Sequence, residues 1–174
     1  DWPLVSIVIP CFDAERFLAT AIDSTLSQTW PRTEVIVVDD GSRDRSVEIA
    51  RTFGDQVVLS IGANQGPSFA RNRGLALAKG DFVQFLDSDD LLLPRKVEAC
   101  LAAARSPRDL PFTRKLVFGD LPRRIPRLRR SNPPRFDPDD PLGTALTFEI
   151  QTAQPLYPRE LLVRLGGFDE SLMW

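Results

Sequence analysis

The sequence predicts an α/β fold: a doubly wound, mostly parallel central sheet flanked by helices. Three observations carry that prediction. Four short runs are apolar almost without a break and rich in β-branched residues, as strands covered on both faces are. Segments with apolar residues at helical spacing alternate with them. Proline and glycine punctuate the junctions. The resulting β-α-β-α-β-α-β-α order over residues 1–105 argues for parallel strands joined by crossover helices.

The first strand is LVSIVI, Leu4 to Ile9. The helix after it places Leu18, Ala21, Ile22, Thr25 and Leu26 on one face and stops at Trp30-Pro31. EVIVV, Glu34 to Val38, is the second strand. Ser42 is the expected N-cap of a helix running through Phe53, with Gly54 as its stop. QVVLSI, Gln56 to Ile61, is the third strand. Asn64-Gln65-Gly66-Pro67 reads as a turn, and Ala70, Gly74, Leu77 and Ala78 then form an apolar stripe closed by Gly80. The fourth strand is Asp81 to Leu86, and a helix follows from Pro94, at its first position, to about Ala104.

The remainder reads differently. Residues 107–141 hold eight of the fifteen prolines, so irregular chain is expected there, with Lys115 to Gly119 as a short strand. Arg114 to Arg135 carries eight basic residues and one acid, Asp120. A solvated loop is the default reading of such a run; an anion-facing flap over a phosphate or a membrane surface is the functional one. Beyond it the pattern predicts a helix over 142–148, an extended piece over 152–157 and a short helix from Pro158 to Leu165, stopped by Gly166-Gly167.

Composition narrows the chemistry. The 174 residues are 43% hydrophobic and 26% charged, ordinary for a globular protein. A net charge of −2 supplies no field that would select nucleic acid. The absence of histidine removes the usual zinc sites and Ser-His-Asp triads. Cys11 and Cys100 make neither a metal spacing nor a disulfide framework, which suits a reducing compartment. No apolar run reaches the roughly 18 residues that span a bilayer, and no signal peptide is visible. The first residue, Asp1, and the last, Trp174, both read as cuts in something longer.

The strand ends draw attention because carboxylates gather there. The first strand leads into Pro10-Cys11-Phe12-Asp13, the second into Asp39-Asp40-Gly41-Ser42 and the fourth into Asp87-Ser88-Asp89-Asp90. In a parallel sheet these ends share one edge, where ligands of such folds sit. Converging carboxylates are costly unless a cation binds them. A hard divalent ion, Mg²⁺ or Mn²⁺, meets that need with carboxylate, phosphate and water oxygens. In an extended segment Asp87 and Asp89 share a face. Asp90, close to the next helix, reads better as a turn former. Asp40, ahead of Gly-Ser, is open to turn making, ligand binding or both. No GxxxxGK[ST] and no GxGxxG follows the first strand, which argues against P-loop and dinucleotide sites. A phosphoreceiver domain gathers its acids at other strands.

Taken together, VSIVIPCFDAERFLATAIDSTLSQTW, EVIVVDDGSRDRS and NQGPSFARNRGLALAKGDFVQFLDSDDLLLP resemble the family-2 glycosyltransferases, strongly over Leu4 to Val97. LLVRLGGFDE, Leu161–Glu170, is similar to the acceptor-side motif of that family. The resemblance implies the GT-A fold, an inverting reaction, a nucleotide-diphosphate sugar donor (most often UDP) and a divalent metal, Mn²⁺ or Mg²⁺. It implies a nucleotide-sugar-binding half over 1–105 and a partial acceptor-side region over 106–174, within one domain. Asp40 matches the position that hydrogen-bonds the base, and Pro10 and Phe12 match the start of the nucleotide pocket. Phe12 stands where the family often has Tyr, and Asp13 where it often has Asn. Arg71 matches a residue that reaches the nucleotide; on position alone it reads equally well as a helix surface charge. The implied nucleotide-binding set is Pro10, Phe12, Asp13, Asp40, Arg71, Asp87 and Ser88, and the implied metal set is Asp87 and Asp89, with Asp89 as the direct ligand.

The family's general base lies in an acidic pair a few residues past the GGFDE-like motif. On that comparison it falls beyond Trp174, no catalytic base is assigned here, and these residues are expected to bind donor but transfer sugar poorly. The implied acceptor is a carbohydrate or a lipid-linked sugar, and the implied location is cytoplasmic, the inner membrane face included, with peripheral membrane association at most. Two alternatives stay open: a non-catalytic nucleotide-sugar-binding module, and an interaction protein that uses Arg123–Arg135 to bind acidic partners.

Overall fold

The computed structural model of the chain describes residues 2–106, 109–111, 113 and 153–171. Four parallel strands form on the four apolar runs: β1 (Val5–Cys11), β2 (Thr33–Asp39), β3 (Val57–Ile61) and β4 (Phe82–Phe85). A fifth, β5 (Tyr157–Pro158), adds antiparallel to β4, pairing Pro158 with Phe82 and Tyr157 with Val83. The sheet order is β3-β2-β1-β4-β5. β1 lies at its centre, with Cys11 in register with Asp39 of β2 and Val8 in register with Phe85 of β4. Among the described residues β3 and β5 are the two edges; Val58 and Ile61 of β3 are 47% and 44% exposed.

Both faces of the sheet are covered, so both alternating sets of side chains must be apolar. Ile7, Ile9, Val35 and Val37 face a core shared with Leu18 and Ile22 of α1 (Leu18–Leu26), Ala50 of α2 (Ser46–Arg51), and Val97 and Cys100 of α4 (Lys96–Ala103). Val8, Ile36, Val38, Val83 and Phe85 face the other core, with Ala70 and Leu75 of α3 (Pro67–Leu77) and Leu162 of α5 (Arg159–Leu165). This is the doubly wound arrangement that the sequence predicts.

Three expectations need correction. The second helix starts at Ser46 rather than after Ser42, because the Ser42 hydroxyl is taken by the backbone N–H of Asp13 at 3.0 Å. The Asp44 carboxylate accepts the Ser46 N–H at 2.9 Å instead. That helix ends at Arg51, and Gly54 opens a short 3-10 turn, Gly54–Gln56, rather than closing a helix. The fourth helix begins at Lys96, two residues later than expected. Pro94 sits in the preceding turn, where the Lys96 N–H donates to the Leu93 carbonyl at 2.9 Å. The strand expected over 115–119 and the helix over 142–148 lie outside the described residues, as does the basic run.

Gln84 is a polar residue inside β4, fully buried. Its side-chain N–H groups donate to the carbonyls of Phe85 and Ala153, and its oxygen accepts from the Lys96 ammonium. A buried amide with every group paired costs the core little. It ties β4, α4 and the approach to β5 together.

Candidate functional site

The carboxyl-terminal ends of β1, β2 and β4 open onto a cavity of about 450 Å³. Pro10, Cys11 and Phe12 line it from β1, Asp40 from the end of β2, and Asp87 and Ser88 from the end of β4. The start of α3 closes it with Gly66, Pro67, Ala70 and Arg71, and Asn64 stands on the loop before. This is the crevice at the strand ends of an open α/β sheet, where such folds bind ligands.

Asp40 is nearly buried, and both its oxygens are engaged: the backbone N–H of Gln65 donates to Oδ1 at 2.9 Å and that of Gly66 to Oδ2 at 2.8 Å. Turn making belongs to its neighbour. Asp39 Oδ1 accepts the N–H groups of Gly41 and Ser42 at 3.2 and 3.1 Å, so the open choice at Asp40 resolves toward bracing the entry to α3. A carboxylate offers about four acceptor directions, so Asp40 keeps capacity for a donor in the cavity. Phe12 is 46% exposed, an aromatic surface on the wall.

Arg71 donates from Nη2 to Asp87 Oδ1 at 2.7 Å, and its guanidinium lies 5.6 Å from the centroid of the Phe168 ring. Its Nε is buried and has no partner among the described residues. An unpaired buried guanidinium N–H is costly; the guanidinium as a whole borders the cavity, where its charge suits an anionic ligand. The surface-charge reading of Arg71 is therefore set aside: it is part of the cavity.

Asp13 and Asp89 do not line the cavity. Asp13, with φ 47, turns away: its Oδ1 accepts the Arg43 N–H at 2.7 Å while its own N–H donates to Ser42 Oγ. With the Glu15 N–H donating to Asp44 Oδ2 at 2.8 Å, it stitches the loop after β1 to the loop after β2. Asp89 lies in a turn closed by the Asp90 N–H donating to the Asp87 carbonyl at 3.0 Å, not in extended chain. The strand alternation invoked for Asp87 and Asp89 is thus replaced by turn geometry, because β4 ends at Phe85.

Among the described residues no three acidic or sulfur side chains cluster into a ready-made metal cage. Asp87 and Asp89 supply oxygen donors of the type a hard divalent ion takes alongside waters and phosphate oxygens. The donor set is all oxygen, Asp89 is exposed and makes no hydrogen bond or ion pair among the described residues, and the Arg71 bond occupies Oδ1 of Asp87.

Cys11, Asn64, Gly66, Pro67 and Ala70 also line the cavity and carried no site signal in the sequence. The Asn64-Gln65-Gly66-Pro67 turn was the available clue, since a turn ahead of a helix at the strand-end edge must border any ligand there. Burial pushes the Cys11 thiol up to about 11, with the Ser46 hydrogen bond opposing. A thiol held protonated is a wall group, not a nucleophile. A second cavity, about 710 Å³, lies at the opposite end of the sheet against Trp2, Trp30, Asp81 and Leu101. It is larger, but no strand-end carboxylates converge on it.

Comparison with known proteins adds three kinds of likeness. The family model described as Glycosyl transferase family 2 matches residues 6–165. An uncharacterized glycosyltransferase of Haemophilus influenzae is 43% identical over 102 residues, 56% of this chain and 41% of that protein. The crystal structure of S. aureus TarS 1-349 in complex with UDP superposes with a TM-score of 0.72 at 26% identity, over 97% of this chain and 51% of that one. The same protein in complex with UDP-GlcNAc gives 0.69 at 25% identity, over 95% and 48%. The chain spans less than half the length of the curated relatives it matches. No helix among the described residues is long and apolar enough to cross a membrane.

Proposed function

Since the chain belongs to glycosyltransferase family 2, with the GT-A fold of its structural neighbours, we propose that it forms the donor-binding part of an inverting transferase that uses a nucleotide-diphosphate sugar, UDP-linked in the first instance. The observation that carries this reading is the joint lining of one strand-end cavity by an aromatic ring, a braced carboxylate and an arginine–aspartate pair. The UDP and UDP-GlcNAc complexes of the TarS neighbour support the choice of nucleotide.

In this reading the nucleobase lies against Phe12 and Pro10, whose faces exclude water from it. Asp40 accepts an N–H from the base edge, already aimed by its two backbone donors. Arg71 offers the guanidinium N–H groups that Asp87 leaves free to a diphosphate oxygen, a charge-assisted bond. Ser88 adds a neutral hydroxyl beside it. Asp87 and Asp89 would hold a divalent cation, which would supply charge neutralisation to the leaving diphosphate when bound. The acceptor hydroxyl enters from the opposite face of the sugar and gives its proton to a carboxylate base. Residues 1–105 bind donor and the chain from 106 onward approaches the acceptor.

Calorimetric titration of UDP, GDP and dTDP, with and without Mn²⁺, tests this directly. UDP should bind tightest, and Mn²⁺ should tighten it at least tenfold in the wild type but not in Asp89→Asn. If no diphosphate binds, or if Asp89→Asn responds to Mn²⁺ as the wild type does, the donor-site assignment is wrong.

A further inference from the structure

Arg71 faces the cavity, and the next residue, Asn72, faces elsewhere. The hydrogen bonds of the Asn72 side chain all go to one distant turn. Its Oδ1 accepts the Phe168 N–H at 2.8 Å, and its Nδ2 donates to the Phe168 carbonyl at 2.9 Å and to Glu170 Oε1 at 2.8 Å. Gly167 makes the approach feasible: at φ +79, a Cβ there would fall 2.4 Å from Asn72 Oδ1. The Phe168 ring then sits under the Arg71 guanidinium and edge-on to Phe85 of β4, 5.0 Å between centroids. One turn of α3 therefore grips the cavity with one residue and the 167–170 turn with its neighbour.

We propose that Asn72 is a positioning residue, which holds the 167–170 turn in register with Arg71 and so with a donor in the cavity. This rests on the donor-site reading above. A ligand that fixes Arg71 and Asp87 also fixes the ring beneath the guanidinium, and Asn72 passes that ordering to the turn backbone. Binding at one place then slows local opening at the other, a coupling measurable without turnover. No other side chain among the described residues donates to the Phe168 carbonyl or accepts its N–H, so Asn72 is the hydrogen-bonded link to the turn backbone, beside the ring contact of Arg71.

The test is amide hydrogen exchange of the full chain with and without saturating UDP, in the wild type, Asn72→Ala and Gly167→Ala. The reporter is the N–H of residue 167, which donates to the Leu162 carbonyl at 3.0 Å and not to Asn72. Saturating UDP should slow its exchange at least fivefold in the wild type and less than twofold in Asn72→Ala, while UDP affinity stays within about twofold. Gly167→Ala, which leaves α3 untouched but drives a methyl against Asn72 Oδ1, should reproduce the loss. A purely structural Asn72 would raise exchange in both states and leave the UDP response intact; that result overturns the proposal. So does a wild type that binds UDP with no change at residue 167. A wild type that binds no UDP refutes the donor site itself, and the proposal with it, whereas the other two outcomes leave the donor site standing. Where transfer or UDP release from UDP-GlcNAc is measurable, Asn72→Ala should lower kcat about tenfold with donor KM unchanged, and an equal loss through KM argues against positioning.

Discussion

At the scale of single residues, Lys96 is the sharpest case. It is 7% exposed, and burial pulls its ammonium down to about 8 from an ordinary 10.5, with the Cys100 sulfur beside it working the other way. The unfolded chain therefore holds this proton over a pH range in which the folded chain has released it. Stability rises where the unfolded state binds more protons, so the Lys96 contribution is least favourable below pH 8 and improves up to about 10.5. The gain over that window is roughly 3 kcal/mol, at about 1.4 kcal/mol for each pH unit. Urea denaturation of wild type and Lys96→Met at pH 7 and pH 9.5 reads it: the wild type should gain on the variant as pH rises. Equal differences at the two pH values would refute it. Neither Lys96 nor its partner Gln84 could be paired from sequence, since a lysine near a helix start normally reads as solvated. That Asp40 and Arg71 border the strand-end cavity was legible, because their positions relative to strand and helix ends are themselves sequence features. Asp13 lies off the cavity: a carboxylate beside a strand end can equally well cap a loop, and here its Oδ1 takes the Arg43 N–H of the neighbouring loop.

At the scale of elements, α3 carries more of the site than any other helix. It is held to the sheet by Gly74, where a Cβ would come within 2.2 Å of Val8 Cγ1 and 3.3 Å of Val38 Cγ2. Gly74→Ala should therefore push α3 off β1 despite the better helix propensity of alanine. Overpacking of this kind costs about 1–3 kcal/mol against a propensity gain of about 1. Arg71 lies one turn away, so UDP affinity should fall together with the denaturation midpoint, by severalfold; an unchanged affinity in a destabilised variant would separate helix seating from the site. The four parallel strands and the helices between them were legible because covering both faces forces continuous apolar runs. The start of α2 was not. Ser42 and Asp44 are both good caps, and only the approach of the Asp13 N–H decides between them. β5 reads from sequence merely as extended chain, because its pairing joins Tyr157 to Val83 and Pro158 to Phe82 of β4, far apart in sequence, and depends on nothing local.

At the scale of the whole molecule, the order β3-β2-β1-β4-β5 brings strand ends from 11, 39 and 85 to one edge. A ligand bound there bridges segments spread over most of residues 10–88, so it should stabilise the fold as a unit. Saturation at 100 times Kd adds about 2.7 kcal/mol, which for a chain of this size raises Tm by several degrees. UDP with Mn²⁺ should shift Tm by that amount, and EDTA should return much of the shift; a Tm indifferent to both would contradict a metal-assisted site at this edge.

The two rims of the sheet differ in kind. β5 is two residues long and ends in Pro158, which has no N–H to offer a newcomer. β3 is longer and displays Val58 and Ile61 beside its outer row of backbone groups. Among the described residues no strand pairs with that row, and an apolar rim of this kind is a template for strand addition. Self-association of concentrated protein should therefore be one-sided and proceed through β3, and a charged residue at 58 is the place to disfavour it.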